Sequence, residues 1–285
     1  MTERAFSTLA TGGGFFEGPR WHDGRWWVSD FYSHTVAAIA ADGTSETVMT
    51  VDGQPSGLGW LPDGSLLAVS MKDHRVLRRS PDGTVTVHAD LTPHCGGHAN
   101  DIVVAADGRA WVGNFGFDLM AGAAPRPAAL VRVDPDGTTE LAAEGLAFPN
   151  GSVVTPDGTM LIVGETMGAR YTAFTVTAGG LLTDRRVWAA VPGVAPDGCT
   201  LDAEGHIWAA DAFGSRVVRV AADRGVIDEI ALPDGLGCYA CMLGGDDGRT
   251  LLLCAAPDFD EERRRSRQEA VLLTTTVEVP HAGLP

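Results

Sequence analysis

The 285-residue sequence has little positive charge, and it contains no long hydrophobic run. Lys and Arg total 21 against 37 Asp and Glu, which gives a formal net charge of −16. This excess of negative charge repels phosphate backbones and anionic lipid headgroups, so it disfavours nucleic acids and membrane surfaces as partners. No apolar stretch reaches the roughly 18 residues that a membrane-spanning helix requires, so we expect none.

Cysteines are also few, and their arrangement excludes a disulfide framework. There are five, an odd number, scattered between Cys95 and Cys254. Cys238 and Cys241 have C-x-x-C spacing, but no second pair of Cys or His residues stands at zinc-ligand spacing. We expect buried, reduced thiols, with redox sensitivity or zinc binding as alternatives for this pair. The polar N-terminal segment, Met1–Arg4, has no apolar targeting region, and a cytoplasmic protein is therefore predicted.

Turn sequences, in contrast, are abundant and regularly spaced. Asp-Gly between two apolar segments is a strong hairpin signal, because glycine tolerates the positive φ of tight turns. One series of such turns ends at Gly24, Gly64, Gly108, Gly158, Gly205 and Gly248, and a second series, ending at Gly43, Gly83, Gly137, Gly180 and Gly225, interleaves with it. Each repeat of about 47 residues therefore predicts four strands, and six repeats predict an all-β, six-bladed β-propeller with four antiparallel strands per blade. We expect a single domain over residues 1–285.

The two ends of the chain are predicted to meet in one blade. The segment Ala270–Val279 has the pattern of a strand in the last repeat, and an N-terminal strand before Glu17 could complete that blade. Such pairing would close the ring and remove a long exposed edge. Helix signals are scarce, and Asp260–Ala270 is the one plausible helical segment.

Amide or carboxylate side chains occupy one equivalent position in four of the six repeats. Eight residues before the glycine of the first turn stand Asn100, Asn150 and Asp197 in repeats three, four and five. In repeat one, whose first strand is one residue shorter, Glu17 stands seven residues before that glycine. The first strand of each blade lines the central channel, so these side chains should converge on the axis. Two carboxylates in a confined channel are costly unless a cation compensates them, and oxygen ligands suit Ca²⁺, Mg²⁺ or Mn²⁺. The alternative is that these Asn and Asp residues only end loops.

Four segments resemble the signature segments of the regucalcin/gluconolactonase/luciferin-regenerating-enzyme family. They are Phe16–Trp21, Ala99–Ile102, Phe148–Gly151 and Ala195–Gly205, and the resemblance extends over essentially the whole chain. It implies a six-bladed propeller with one catalytic divalent metal on the axis and hydrolysis of lactones. It also implies Glu17, Asn150 and Asp197 as metal ligands, with Asp197 as the catalytic acid/base. Asn100 matches a residue that contacts substrate or completes the metal shell, and Asp101 follows it as in the family.

One position departs from the family pattern. His98 stands two residues before Asn100, where members that act on sugar lactones often have Arg. Arg offers a fixed fork of donors to ring and hydroxyl oxygens, which His cannot reproduce. We therefore assign His98 to substrate binding together with Asn100 and Asp101, and the departure argues against an aldonolactone substrate.

These observations predict a metal-dependent hydrolase that opens a lactone ring of a sugar lactone or related cyclic ester. One divalent ion would polarise the carbonyl, with Ca expected and Mg, Mn, Zn or Fe as alternatives. The partner is a small-molecule substrate, and the protein is a monomer or homodimer. Two other functions stay open: a hydrolase of organophosphates or aryl esters on the same scaffold, and a non-catalytic propeller that binds ions or proteins. No G-x-S-x-G segment occurs, which argues against an acyl-enzyme.

Substrate specificity is expected in the loops that follow the second strand of each repeat. They are Asp30–Thr35, Ser70–Arg75, Asn114–Arg126, Gly164–Tyr171, Asp211–Arg216 and Pro257–Arg267. The longest, Asn114–Arg126, is rich in apolar residues and glycine. It is either a lid over a partly apolar substrate or a mobile surface loop. His34 and His74 are further candidates for this pocket.

Overall fold

The structure, a computed structural model, describes residues 4–283. In this range, twenty-four strands form six four-stranded antiparallel sheets. In five of the sheets the strands follow one another in chain order, with tight turns between the first and second strands and loops between the second and third. The prediction of a six-bladed β-propeller with four antiparallel strands per blade is confirmed.

Each blade runs from an innermost strand outwards. Blade 1 consists of β2 (Phe16–His22), β3 (Arg25–Asp30), β4 (Thr35–Ile39) and β5 (Ser45–Thr50). Blade 2 consists of β6 (Pro55–Trp60), β7 (Leu66–Ser70), β8 (Arg75–Arg79) and β9 (Val85–Asp90). Blade 3 consists of β10 (Ala99–Val104), β11 (Ala110–Asn114), β12 (Ala128–Val133) and β13 (Thr139–Leu146). Blade 4 consists of β14 (Pro149–Val154), β15 (Met160–Glu165), β16 (Arg170–Val176) and β17 (Leu182–Ala190). Blade 5 consists of β18 (Pro196–Leu201), β19 (Ile207–Asp211), β20 (Arg216–Ala221) and β21 (Gly225–Ala231).

The sixth blade joins the two ends of the chain. It contains β22 (Gly237–Gly244), β23 (Thr250–Ala256), β24 (Ala270–Thr276) and, on its outer edge, β1 (Ser7–Gly13). β1 pairs antiparallel with β24, which confirms the predicted ring closure and covers the edge that β24 would otherwise expose. Residues 1–3 lie outside the described residues. They belong to the polar N-terminal segment from which the absence of a targeting region was predicted. The single domain over residues 1–285 stays a prediction.

One short α-helix, α1 (Glu261–Arg267), lies between β23 and β24, within the segment for which helix was predicted. Its N-cap is Asp260, whose carboxylate accepts a hydrogen bond from the backbone N–H of Arg263 at 2.9 Å. A 3₁₀ turn, Thr166–Gly168, follows β15. Within residues 4–283 no helix combines the length and the apolar character needed to cross a membrane.

The five cysteines are free thiols, and four of them are buried among the strands. Burial raises the pKa of Cys95 to about 12 and raises the pKa of Cys199 still further. Thiols with such pKa values are protonated at neutral pH and therefore weak nucleophiles and poor metal ligands.

The six innermost strands form the wall of the central channel. β2, β6, β10, β14, β18 and β22 each contact the innermost strands of both neighbouring blades. The innermost strands approach closely where a glycine follows an axial residue: a Cβ atom on Gly151 would lie 2.2 Å from the backbone oxygen of Asp197. A Cβ atom on Gly198 would lie 2.5 Å from the Cβ of Ala240. These glycines therefore set the spacing of the axial side chains.

Replacing Gly151 by Ala is expected to lower the free energy of unfolding by about 1–3 kcal/mol, because rigid backbone atoms must move to admit the methyl group. Gly179→Ala is the matched control. The only atom near its new Cβ is Thr177 Oγ1 at 4.0 Å. Urea unfolding of both variants measures the difference, and equal stabilities would show that blades 4 and 5 are not packed as closely as described.

Candidate active site

The four axial residues predicted from the repeats occupy one structural position. Glu17, Asn100, Asn150 and Asp197 are each the second residue of the innermost strand of their blade. In every case the pairing with the second strand has a register irregularity next to this residue. Bulges of this kind redirect a side chain, and here they occur at the same place in four sheets.

Polar side chains at the ends of the second strands fix the loops that lead into the innermost strands. The carboxylate of Asp30 accepts hydrogen bonds from the backbone N–H groups of Gly14 and Phe15, both at 2.9 Å. Equivalent bonds link Glu165 to the N–H of Ala147 at 2.7 Å and Asp211 to the N–H of Ala195 at 3.0 Å. All three carboxylates belong to buried residues. Blades 1, 4 and 5 thus hold their axial residues in place through their second strands, and the sequence analysis did not identify these three carboxylates.

The axial residues form the floor of a cavity of about 110 Å³ at one end of the channel. His98 also lines this cavity, as predicted for a pocket residue. The remaining lining comes from the walls and contains Phe15, Phe31, Tyr32, Gln54, Ser56, Met71, Phe115, Leu119, Met120, Phe148, Thr166, Met167, Ala212, Phe213, Tyr239 and Phe259. Every one of the six loops predicted to border the pocket contributes at least one of these residues.

Three other candidates do not reach the cavity. His34 Nδ1 lies against the backbone oxygens of Val51 and Asp52, and neither His34 nor His74 is among the lining residues. Asp101 is buried beside the channel and accepts hydrogen bonds from the guanidinium of Arg20 at 3.1 Å and from the N–H of Ile102 at 2.8 Å. Asp101 does not line the cavity, and its contact with substrate stays a prediction.

Arg20 was overlooked in the sequence, although it lies only three residues after Glu17. Its side chain is 4% exposed, and it also donates hydrogen bonds to the backbone oxygens of Ile102 and Pro19, at 2.6 and 2.8 Å. The Arg20–Asp101 ion pair therefore ties blade 1 to blade 3 beneath the cavity floor. The sequence signal that could have identified Arg20 was the presence of an arginine within the segment of an innermost strand.

Asn150 and Asp197 are in direct contact. The amide nitrogen of Asn150 donates to Oδ1 of Asp197, and it also lies 3.3 Å from Thr166 Oγ1. The Thr166 hydroxyl in turn donates to the backbone oxygen of Pro196 at 2.7 Å. Thr166 thus joins the ends of β14 and β18, and it was not singled out in the sequence beyond its place in a pocket loop.

The two axial carboxylates are electrostatically unfavourable neighbours. Burial in the channel raises the pKa of Glu17 well above its ordinary value, and the negative charge of Asp197 raises it further. Burial likewise raises the pKa of Asp197, with the charge of Asp101 as the next cause. Both carboxyls are therefore harder to ionise than free carboxyls, and a positive charge between them would relieve this cost.

The donor atoms on the floor fit a hard divalent cation. Two carboxylates and two amides supply only oxygen donors, and the buried Oδ1 of Asn100 has no hydrogen-bond partner. No Lys or Arg of the described chain lines the cavity to balance the carboxylates. Across residues 4–283 no three His, Cys, Asp or Glu side chains come together as a metal site, so a cation here needs the amide oxygens as well. Oxygen-only sets of this kind suit Ca²⁺, Mg²⁺ or Mn²⁺.

A larger cavity of about 520 Å³ lies at the other end of the channel. It is bordered by the ends of β10, β14 and β18 and by the Asp107 and Asp157 turns. None of the four axial residues lines it. The paired carboxylates belong to the smaller cavity alone.

Fold and site together define a β-propeller with a cavity lined by carboxylate and amide groups at one end of its central channel. Residues 15–257 match the model of the SMP-30/gluconolactonase/LRE-like region, and the chain belongs to this family.

Named relatives agree with this assignment. The chain is 30% identical over 214 residues to the pentonolactonase XacC of Haloferax volcanii, covering 73% of this chain and 70% of that protein. It is 26% identical over 226 residues to the L-arabinolactonase of Azospirillum brasilense, covering 76% and 73%. Among solved structures, the calcium-binding protein regucalcin of Agrobacterium tumefaciens superposes with a TM-score of 0.83 at 24% identity, over 99% of this chain and 97% of that one.

Proposed function

We propose that this protein is a metal-dependent lactonase, which hydrolyses a cyclic ester by opening its ring. The observation that carries the proposal is the pair of carboxylates, buried Asp197 and partly buried Glu17, beside amide groups on the floor of a cavity of about 110 Å³. Membership of the family and relatives named as lactonases support it. A small-molecule partner, a cytoplasmic location and a monomeric or homodimeric state belong to the same proposal.

Glu17, Asn150 and Asp197 would hold the single divalent ion on the axis, with Ca²⁺ as the expected ion. Support comes from the oxygen-only donor set and from the raised pKa values of both carboxyls. When bound, the ion supplies Lewis-acid polarisation of the lactone carbonyl, which favours the charge that develops on its oxygen. Asn100 and His98 line the same cavity and would contact the substrate.

Asp197 would act as the general acid/base. Asn150 holds one carboxylate oxygen through its amide group, which fixes the orientation of the side chain. The other oxygen would accept a proton from the water that attacks the carbonyl carbon. When the ring C–O bond breaks, Asp197 would return that proton to the alkoxide, which stays attached to the product as a hydroxyl. The aromatic walls keep bulk water away from these steps.

Elemental analysis and a substrate panel test this proposal together. Protein purified without chelator is expected to contain about one divalent cation per chain and to hydrolyse lactones faster than aryl esters or phosphotriesters. A chelator should abolish the lactonase activity, and the added ion should restore it. A protein that neither contains nor takes up a divalent cation would contradict the metal site. Faster cleavage of aryl esters or phosphotriesters would favour the other hydrolase.

His98→Arg is expected to change substrate preference more than metal affinity. The ring of His98 is half-buried in the cavity wall, 5.7 Å from the ring of Phe115, and burial lowers its pKa, so it is neutral at pH 7. A guanidinium here would add charged hydrogen bonds to hydroxyl oxygens, so kcat/KM for polyhydroxylated lactones should rise about tenfold relative to other lactones. Initial rates on both classes, and cation titrations of parent and variant, give the comparison.

His94→Arg is the control for that substitution, because His94 lies four residues earlier and does not line the cavity. It should leave both the substrate ranking and the metal affinity unchanged. Loss of cation binding in His98→Arg with an unchanged ranking of lactones would instead identify His98 as a ligand or a structural support.

A further inference from the structure

The walls of the candidate active site concentrate the aromatic residues of an aromatic-poor chain. Aromatic residues make up 7% of the sequence, namely ten Phe, seven Trp and three Tyr. Six of these Phe residues and two of the Tyr residues line the single cavity of about 110 Å³ above the axial carboxylates: Phe15, Phe31, Tyr32, Phe115, Phe148, Phe213, Tyr239 and Phe259. Met71, Leu119, Met120 and Met167 add further apolar surface.

Contacts between the rings hold most of these side chains in place. On one side, Phe15 packs against Tyr239 and Phe31, with ring centroids 4.7 and 5.3 Å apart. On the other side, Phe115 and Phe148 are stacked at 4.5 Å. Aromatic pairs at these distances stabilise one another beyond the burial of their area. The cavity therefore has two preformed aromatic walls, one from blades 1 and 6 and one from blades 3 and 4.

The mouth of the cavity exposes apolar side chains to solvent. The exposed fractions are 46% for Met120, 40% for Met167, 67% for Phe213 and 43% for Phe259. The four residues come from four different loops, so local sequence does not explain their meeting around one opening. Clustered exposed apolar side chains mark surfaces that a ligand covers.

Charged groups, in contrast, are confined to one part of the cavity. The charged side chains among its lining are Glu17 and Asp197, both on the floor, and no Lys or Arg of the described chain joins them. Hydroxyls of a sugar ring that faced the aromatic rings themselves would lack hydrogen-bond partners, which is costly. An apolar substituent in the same place would bury its own surface and that of the walls.

We propose that the substrate is a lactone that carries an alkyl or aryl substituent. The ester group faces Glu17 and Asp197, and the substituent lies between the aromatic walls and extends towards Phe213 and Met120 at the mouth. This inference rests on the proposed lactonase function and specifies its substrate class. The class differs from the sugar lactones in the names of the two relatives above.

A chain-length series tests the inference with the metal-loaded protein. The substrates are γ-lactones with 4-alkyl groups from methyl to heptyl, compared with D-glucono-δ-lactone. Each added methylene is expected to raise kcat/KM about three- to fourfold until the chain fills the cavity, because burial of one methylene is worth about 0.8 kcal/mol. The longer alkyl lactones should therefore exceed D-glucono-δ-lactone in kcat/KM.

Substitutions at the mouth locate the effect. Phe213→Ser should lower the ratio of kcat/KM for the heptyl lactone to that for the methyl lactone about tenfold, and Met120→Ser should lower it in the same direction. Leu181→Ser is the control, since Leu181 is comparably exposed at 59% but does not line the cavity, and it should leave the ratio unchanged. An unchanged ratio in both mouth variants would overturn the inference.

The outcomes separate this inference from the proposed function. Efficient hydrolysis of D-glucono-δ-lactone without any chain-length dependence would leave the lactonase standing and overturn the apolar substrate class. If no lactone is hydrolysed, the proposed function fails. Calorimetric titration with non-hydrolysable 4-alkyl γ-lactams then decides whether the cavity binds an apolar ligand. Affinity that rises with chain length and falls in Phe213→Ser supports an apolar ligand, and affinity independent of chain length overturns it.

Discussion

Replacing Asp197 by Asn is expected to lower the turnover number for lactone hydrolysis by about 10²–10⁴-fold, even when the cation site is full. The side chain of Asn has the same length as that of Asp and keeps one oxygen, so the ion can still bind. It binds more weakly because one negative charge has been removed. Asn cannot accept the proton of the attacking water. The loss therefore persists at saturating metal, which is the property that separates a general base from a simple ligand.

Glu17→Gln is the matched variant for this measurement. It removes the same charge from the same floor, but Glu17 has no proton-transfer role in the proposed mechanism. Its turnover should recover substantially when the cation is saturating, with occupancy measured independently by elemental analysis. Near-parent turnover of Asp197→Asn at full occupancy would leave Asp197 as a ligand only. His98 would then be the next candidate base, because it lines the cavity whereas His34 and Asp101 do not.

Removal of the divalent cation is expected to lower Tm by roughly 5 °C, and by more at pH 8 than at pH 5. A ligand at about 100 times its Kd stabilises a folded protein by about 2.7 kcal/mol, which corresponds to a shift of this size in a chain of this length. The pH dependence follows from the pKa values of Glu17 and Asp197, which burial and neighbouring negative charge raise in the metal-free fold.

The sign of the pH effect is determined by which state binds more protons. A carboxyl whose folded pKa is raised contributes stability that is complete below its unfolded pKa, about 4, and that is lost as pH rises through the folded pKa. In the metal-free protein the contribution of these two carboxyls to stability is therefore lost from about pH 4 upwards. The bound cation favours the ionised carboxylates and opposes this loss, so the difference in Tm between loaded and stripped protein grows with pH.

Thermal unfolding with and without chelator, from pH 5 to pH 8, checks this expectation. Glu17→Gln should reduce the dependence on pH, because one of the two titrating groups is gone. Glu46→Gln is the control, since Glu46 is an exposed glutamate on β5 that pairs with Arg25 at the surface. A Tm that does not respond to the cation at pH 8 would contradict the proposed ligand set.

The turns and the axial positions were accessible from sequence for the same physical reason. Each blade is a set of hairpins closed by tight turns such as Pro62–Gly64, and a hairpin is specified by residues close together in the chain. Counting from those turns placed Glu17, Asn100, Asn150 and Asp197 correctly at the start of the innermost strands. The repeat therefore predicts the positions of the axial residues as well as the number of blades.

Contacts between blades were less accessible. Asp101 directly follows an axial residue, and nothing in its local sequence shows that its partner is Arg20, 81 residues earlier. Thr166 is an ordinary loop threonine until β14 and β18 come together beside it. Gly151 could be taken for the end of a loop, although its lack of a side chain is what lets the next strand approach. In each case the decisive partner belongs to another blade.

The sequence by itself determined six blades of four strands, the closure of the ring by the N-terminal strand and the oxygen-bearing position on the axis, because these follow from short-range turns repeated at a regular spacing. Only the tertiary structure decided what surrounds that axis. Phe15, Phe115 and Phe213 belong to loops of separate blades, and their side chains line one cavity. Side chains so distant in the chain come together only when the ring has closed, so the apolar character of the pocket is a property of the assembled propeller.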